Sequence, residues 1–259
     1  MTQPCSPAPM SLALDGRHVV IVGGSSGIGK ATAAAVLALG GRVTILSRNE
    51  DKLRQAAADL GHGDRVAWNV LDVMEDAGVT RYFGSLADAS VDHLVITAAT
   101  VVHGPFTGAP TGHLRGMFEA KFWGPVKVAR GCLPKLADGG SITFFSGVLS
   151  RRPGINCSML GAVNAAVEGL TRGLALELGP RLRVNCCSPG MVRTDAYGAM
   201  PEEKREAMYQ ATGESLPVGR VGYDHELADA VLFLMTNTYA TGLVLDIDGG
   251  HMIRQYATR

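Results

Sequence analysis

The run Val22-Gly23-Gly24-Ser25-Ser26-Gly27-Ile28-Gly29 lies between a strand-like stretch, His18–Val22, and a helix-like stretch, Ile28–Leu39. Glycines in such a place let the backbone turn tightly and approach a pyrophosphate. The helix that starts there offers unpaired N–H groups and a partial positive charge to phosphate oxygens. Gly23, Ser25, Ser26, Gly27, Ile28 and Gly29 are therefore candidate dinucleotide ligands. A glycine pattern alone is a weak signal; one that follows a strand and opens a helix is strong. The second strand-like run, Val43–Leu46, ends in Ser47-Arg48. An acidic tip there would accept hydrogen bonds from the adenosine ribose and repel a 2′-phosphate. A serine followed by a guanidinium, which can pair bidentately with phosphate, does the opposite. Ser47 and Arg48 favour NADP(H) over NAD(H), the alternative being a solvated surface arginine.

These residues need a scaffold, and the pattern of the chain supplies one. Strand-like runs at His18–Val22, Val43–Leu46, Arg65–Trp68, His93–Thr97, Ser141–Phe145, Leu182–Cys186 and Leu243–Ile247 alternate with helix-like segments. The helices are expected at Ile28–Leu39, Glu50–Leu60, Glu75–Ala87, Thr111–Leu133, Leu160–Leu178 and Glu226–Met235. Such alternation implies right-handed crossovers and a parallel sheet covered on both faces. The expected fold is α/β, a single-domain Rossmann-type doubly wound parallel sheet over residues 13–259, preceded by a flexible arm over 1–12. A Met- and Glu-rich insertion, about 191–216, interrupts the alternation and suits a lid over a substrate cleft. A plain surface helix is the alternative.

With 259 residues, 46% hydrophobic, the chain can bury a sizeable core. A formal net charge of zero argues against nucleic acid or an anionic membrane surface as partner. No apolar run is long enough to span a bilayer. The Pro-rich start lacks the basic and apolar regions of a signal peptide. Five cysteines without Cys-x-x-Cys spacing read as reduced thiols in a cytoplasmic protein, and no metal site is expected.

The stretch Asn164-Ala-Ala-Val-Glu-Gly-Leu-Thr-Arg172 resembles the active-site helix of short-chain dehydrogenases/reductases. The likeness spans about residues 15–252. The glycine run matches the family's Thr-Gly-x-x-x-Gly-Ile-Gly signature with Val22 in place of Thr. Asp72-Val73 matches its adenine-contacting pair, and Thr97-Ala98-Ala99-Thr100 stands where the family has Asn-Asn-Ala-Gly. Pro189-Gly190-Met191-Val192-Arg193-Thr194 matches the segment that holds the nicotinamide carboxamide. The resemblance thus adds Asp72, Val73, Ala98, Ala99, Pro189, Gly190, Val192 and Thr194 to the cofactor residues.

The catalytic positions differ. In the family a Tyr-x-x-x-Lys pair lies directly before the Ala-Ala-Val-Glu-Gly-Leu run, which places Leu160 at the tyrosine and Asn164 at the lysine. The catalytic serine falls at Gly147 with Ser146 beside it, and the helix asparagine falls at Lys121. Lys and Asn stand exchanged between two helices, and Lys121, Ser146 and Asn164 become the candidate catalytic residues. The same register brings His103, Arg152 and Cys157 near the substrate, each with an ordinary surface role as alternative. Three readings follow: an atypical NADP(H)-dependent oxidoreductase acting on an imine or iminium, an enone or an activated carbonyl; a redox-neutral isomerase or cyclase; and a non-catalytic NADP(H)-binding regulator. Small residues at Gly161, Ala165, Gly169 and Gly173 suit a helix that meets its symmetry mate, so a homodimer or homotetramer is expected.

Overall fold

The computed structural model describes residues 14–98, 104–198 and 200–254. The arm expected over 1–12, the candidate ligand Ala99 and the candidate substrate residue His103 lie outside the described residues. Strands β1 (His18–Val22), β2 (Arg42–Ser47), β3 (Val66–Val70), β4 (Val91–Ile96), β5 (Leu136–Phe145), β6 (Arg183–Pro189) and β9 (Val244–Ile247) form one sheet in the order β3-β2-β1-β4-β5-β6-β9. Every pairing in it is parallel. Successive strand residues face opposite ways. In β1, Val19 and Ile21 pack with helices α1 (Gly27–Ala38), α2 (Glu50–Leu60) and α8 (Asp224–Thr236). Val20 and Val22 pack on the other face with α3 (Asp76–Gly84), α5 (Gly124–Cys132) and α6 (Ser158–Leu178). The chain reverses direction across the sheet between β1 and β4, which opens a crevice at the carboxyl ends of those strands.

The segment expected as one helix over Thr111–Leu133 is interrupted. It runs as α4 (Thr111–Phe118), a π-helical turn at Glu119–Trp123, and α5. The apolar residues on either side still read as one helical run, so the inserted residue was not evident from the pattern, and it falls at Lys121. The insertion after β6 contains β7 (Val192–Arg193), a short turn at Asp195–Tyr197 and α7 (Glu202–Glu214). β7 pairs with β8 (Gly222–Tyr223) in a separate small sheet that the sequence did not announce. α7 is anchored by buried Tyr209, whose ring meets Tyr197 edge-on at 6.0 Å and lies under the Arg193 guanidinium at 4.6 Å. Among the described residues no helix is long and apolar enough to cross a membrane.

Candidate active site

A cleft of about 380 Å³ at the carboxyl ends of β1, β2 and β4 gathers Gly23, Ser25, Ser26, Gly27, Ile28, Gly29, Ser47, Arg48, Asp72, Val73, Ala98 and Thr194. Its shape requires bare backbone. A Cβ on Gly29 would collide with the Gly23 carbonyl oxygen, and one on Gly23, where φ is +89°, would collide with Thr97 Oγ1. Ser26 begins α1 without a side-chain cap, so the first-turn N–H groups are left to an incoming anion. Pro189, Gly190 and Val192 do not line the cleft. They support Thr194 from behind: Gly190 N donates to Ile247 O at 3.0 Å, and buried Val192 pairs with Gly222.

At the adenosine end, Ser47 Oγ is buried without a hydrogen-bond partner, next to Arg48. Lys52 also lines this end and was missed in the sequence. It stands in the first turn of α2, while Arg48 lies just before the Asn49 cap, and both line the cleft. Asn49 caps α2 by accepting from Lys52 N at 2.9 Å. Neither Arg48 nor Lys52 makes an ion pair among the described residues. An orphaned hydroxyl beside two unpaired cations fits a phosphorylated ribose.

Ala120 and Phe145 line the far side of the cleft, while Lys121, Ser146 and Asn164 lie behind them, just past the end of β5, and do not line it. Lys121 Nζ donates to Ser146 O at 3.1 Å, and Asn164 Nδ2 donates to Gly147 O at 3.3 Å. Side chains from two helices therefore grip consecutive carbonyls. Lys121 is 6% exposed, and burial brings its ammonium pKa down to about 8, with nearby Cys186 acting in the opposite direction. Asn164 is 2% exposed, and its Oδ1 has no partner. A Cβ on Gly147 would stand 3.0 Å from Asn164 Nδ2, so glycine at 147 and asparagine at 164 accommodate each other.

The Ser146 hydroxyl does not join them. It donates to Glu168 Oε1 at 3.1 Å, because Phe145 turns into the cofactor cleft and the next residue alternates to the opposite face. Glu168, 4% exposed on α6, also accepts from Ser150 Oγ at 2.5 Å and lies 3.5 Å from Arg151 Nε. Arg151 in turn holds Asp246 through both terminal nitrogens. The signal for Glu168 was present in the sequence. It falls in the stripe Leu160, Val163, Asn164, Val167, Glu168 and Thr171, whose spacing is that of one buried helix face.

Leu160 is 5% exposed and packs with Met117 and Val163, with Phe118, Phe122, Leu149 and Met159 around them. Arg152, expected near the substrate, is turned towards the C-terminal turn. Its terminal nitrogens donate to Met252 O at 3.1 Å and Arg254 O at 2.8 Å, fastening the turn His251–Ile253. Cys157 sits half-buried at the entry to α6, and burial raises its thiol pKa, the reverse of an activated nucleophile. A larger crevice of about 740 Å³ runs between α1, the end of α2 and α7. Its charges are largely spent on one another, as Lys30 with Asp59 at 2.5 Å and Arg193 with Glu206 at 2.7 Å.

The family model described as enoyl-(acyl carrier protein) reductase matches residues 22–252. Among curated proteins, the short-chain dehydrogenase/reductase malC of Malbranchea aurantiaca is 32% identical, over 93% of this chain and 96% of its own length. Among solved structures, a small-chain dehydrogenase in complex with NADPH is 35% identical with a TM-score of 0.75, over 91% of this chain and 98% of that one. The MalC reductase/Diels-Alderase from Malbranchea aurantiaca superposes with a TM-score of 0.84 at 29% identity, over 95% of this chain and 99% of that one.

Proposed function

The chain belongs to the short-chain dehydrogenase/reductase family, and from that premise we propose that it is an NADP(H)-dependent reductase that passes hydride to an activated small molecule, an imine or iminium, an enone or an activated carbonyl, without the tyrosine acid of its relatives. Leu160 carries the reading. At the register position of that tyrosine stands an apolar side chain in an apolar cluster, and none of the six tyrosines in the chain precedes a lysine by four. Ordinary ketone reduction needs an acid for the developing alkoxide. An iminium already carries the positive charge that an acid would provide.

NADPH, when bound, supplies the hydride. The chain holds it: the glycine loop and the start of α1 receive the pyrophosphate, Arg48, Lys52 and Ser47 the 2′-phosphate, and Thr194 with the Pro189–Gly190 turn behind it the carboxamide. Support for NADP(H) comes from these residues and from the NADPH complex of the 35% identical relative. Lys121 places an ammonium at the end of β5, where it favours negative charge growing on an enone oxygen. Asn164 fixes the Gly147 carbonyl, and Ser146 acts through its backbone oxygen, which anchors Lys121. A redox-neutral cyclisation in the same pocket is the second reading, favoured by the relative described as both a reductase and a Diels-Alderase.

Consumption of NADPH in the presence of a cyclic iminium, a cyclic enone and an unactivated ketone tests the proposal. Turnover of either activated substrate with negligible turnover of the ketone is expected. Equal rates on the ketone would sink it, and product formed from an activated substrate without loss of NADPH would establish the redox-neutral reading instead.

A further inference from the structure

Glu168 is a buried carboxylate to which the reductase reading gives no task. It is 4% exposed on α6, one helical turn beyond Asn164. A carboxylate taken out of water is costly unless its oxygens are filled. Ser146 Oγ at 3.1 Å and Ser150 Oγ at 2.5 Å donate to Oε1, and Arg151 Nε stands 3.5 Å from Oε2. All three groups come from the segment 146–151. The same segment supplies the carbonyls that receive Lys121 Nζ and Asn164 Nδ2, those of Ser146 and Gly147. Ser146 is thus held at both ends, its hydroxyl by α6 and its carbonyl by the π turn. Gly147 has no side chain to pack, so its neighbours' bonds, with Ser150 N donating to Gly147 O at 3.1 Å, decide where its carbonyl points. Arg151 ties the far end of the segment to β9 through Asp246 and to β6 through Ser188 Oγ at 3.3 Å.

Packing alone asks for an apolar residue here, as at Val163 and Val167 on the same helix face. Buried ionic groups often yield no more stability than apolar ones of similar volume. What they impose is direction, because each bond has a fixed partner and angle. Resting on the reductase reading above, we propose that Glu168 is a positioning residue: by holding Ser146 and Ser150 it fixes the carbonyls of Ser146 and Gly147, and through them the directions of Lys121 and Asn164. Glu168 does not line the cofactor cleft. Its charge is answered by Arg151, while Lys121 bonds a neutral carbonyl. Glu168 therefore acts on Lys121 through the backbone of Ser146 and not as its counter-ion.

The test uses the full chain with NADPH and 2-cyclohexenone as probe substrate. Glu168→Met removes both serine bonds at similar volume. Turnover should fall about tenfold with KM changed by less than about twofold, because aim is lost and binding is not. Glu168→Gln keeps an acceptor for both hydroxyls and loses the charge, so it should recover to within about threefold of wild type. Made on top of Lys121→Met, Glu168→Met should cost nothing further, as a residue that acts through Lys121 must. Equal falls in the two backgrounds would overturn the proposal. So would a Glu168→Gln variant as slow as Glu168→Met, since the charge itself would then be what matters. If Glu168→Met does not fold, Ser150→Ala, which removes one bond at a half-buried position, takes its place in the same cycle with a fall of about threefold. If neither 2-cyclohexenone nor a cyclic iminium consumes NADPH, urea unfolding of the same variants decides. Coupling between positions 168 and 121 would then retain the positioning role while the reductase reading falls, and additive losses would overturn both.

Discussion

Asn164 and Lys121 reach the same stretch of backbone, just past β5, from two different helical segments. An amide and an ammonium hold neighbouring carbonyls of the same strand end. The ammonium is the titratable member, and its pKa of about 8 reflects loss of water around a buried charge. If the charged form assists reaction, activity is full below pH 8 and falls as pH rises through it. Lys121→Ala should lower turnover on an enone on the order of 10²-fold and remove that alkaline limb. An unchanged pH profile in the variant would leave Lys121 a structural residue. The adenosine end makes an independent claim. Arg48→Ala should erase most of the preference for NADPH over NADH, about tenfold to over a hundredfold for one charge-assisted pair. Lys52→Ala should reduce it further. Equal calorimetric affinities of the wild type for both cofactors would refute the assignment.

At the scale of elements, much of the site was legible because it rests on strand ends and helix starts. The glycine run, the tip of β2 and the segment leading to Thr194 fall where alternating hydrophobic runs place them, and the cleft unites them. What stayed hidden depends on side-chain direction. Ser146 follows the cleft-facing Phe145 and so turns to Glu168. Lys121 lies inward because a π turn adds a residue to its helix. Glu168 reads as a surface charge until its stripe is traced over three turns of α6. A different pair of elements governs acid stability. On β4, His93 is buried and bonded through Nδ1 to Ser141 Oγ on β5 at 2.8 Å. Burial lowers its pKa from 6.5 to about 4, with Arg183 and Arg17 adding to the effect and Asp92 opposing it. Since the unfolded chain binds this proton more readily, stability is full above the unfolded value of 6.5 and drains as pH falls towards 4. The loss by pH 5 should be about 2 kcal/mol. Urea unfolding of His93→Gln at pH 7 and pH 5 should show a smaller difference than wild type. His18, whose pKa burial also lowers, retains part of the slope. An identical slope in the variant would remove His93 as its source.

For the whole molecule, the outer face of α6 poses the question of assembly. Gly161, Ala165, Gly169 and Gly173 recur every four residues, and each step of four turns about 40° around the helix. The stripe therefore winds instead of facing one way. A Cβ on Gly161 would press on Leu149 O at 2.7 Å within the subunit, whereas at Gly169 and Gly173 nothing lies within 4 Å. The exposed residues of this helix are Ser158, Ala162, Ala165, Gly169, Arg172, Gly173, Leu176 and Glu177. A helix that ends at water normally presents polar residues there. Apart from Ser158, Arg172 and Glu177 this one presents small ones, with Leu176 85% exposed among them. Small residues let a second helix approach closely, and a two-fold axis across α6 would bury each copy's Leu176 against the other's small positions. A dimer or dyad-symmetric tetramer is expected in light scattering at micromolar concentration. Gly173→Arg adds bulk and charge where the subunit itself has room, so it should yield a folded monomer that still binds NADPH. A wild-type monomer would leave these small residues and Leu176 in water and sink the assignment. A Gly173→Arg variant that stays associated would move the contact to another surface.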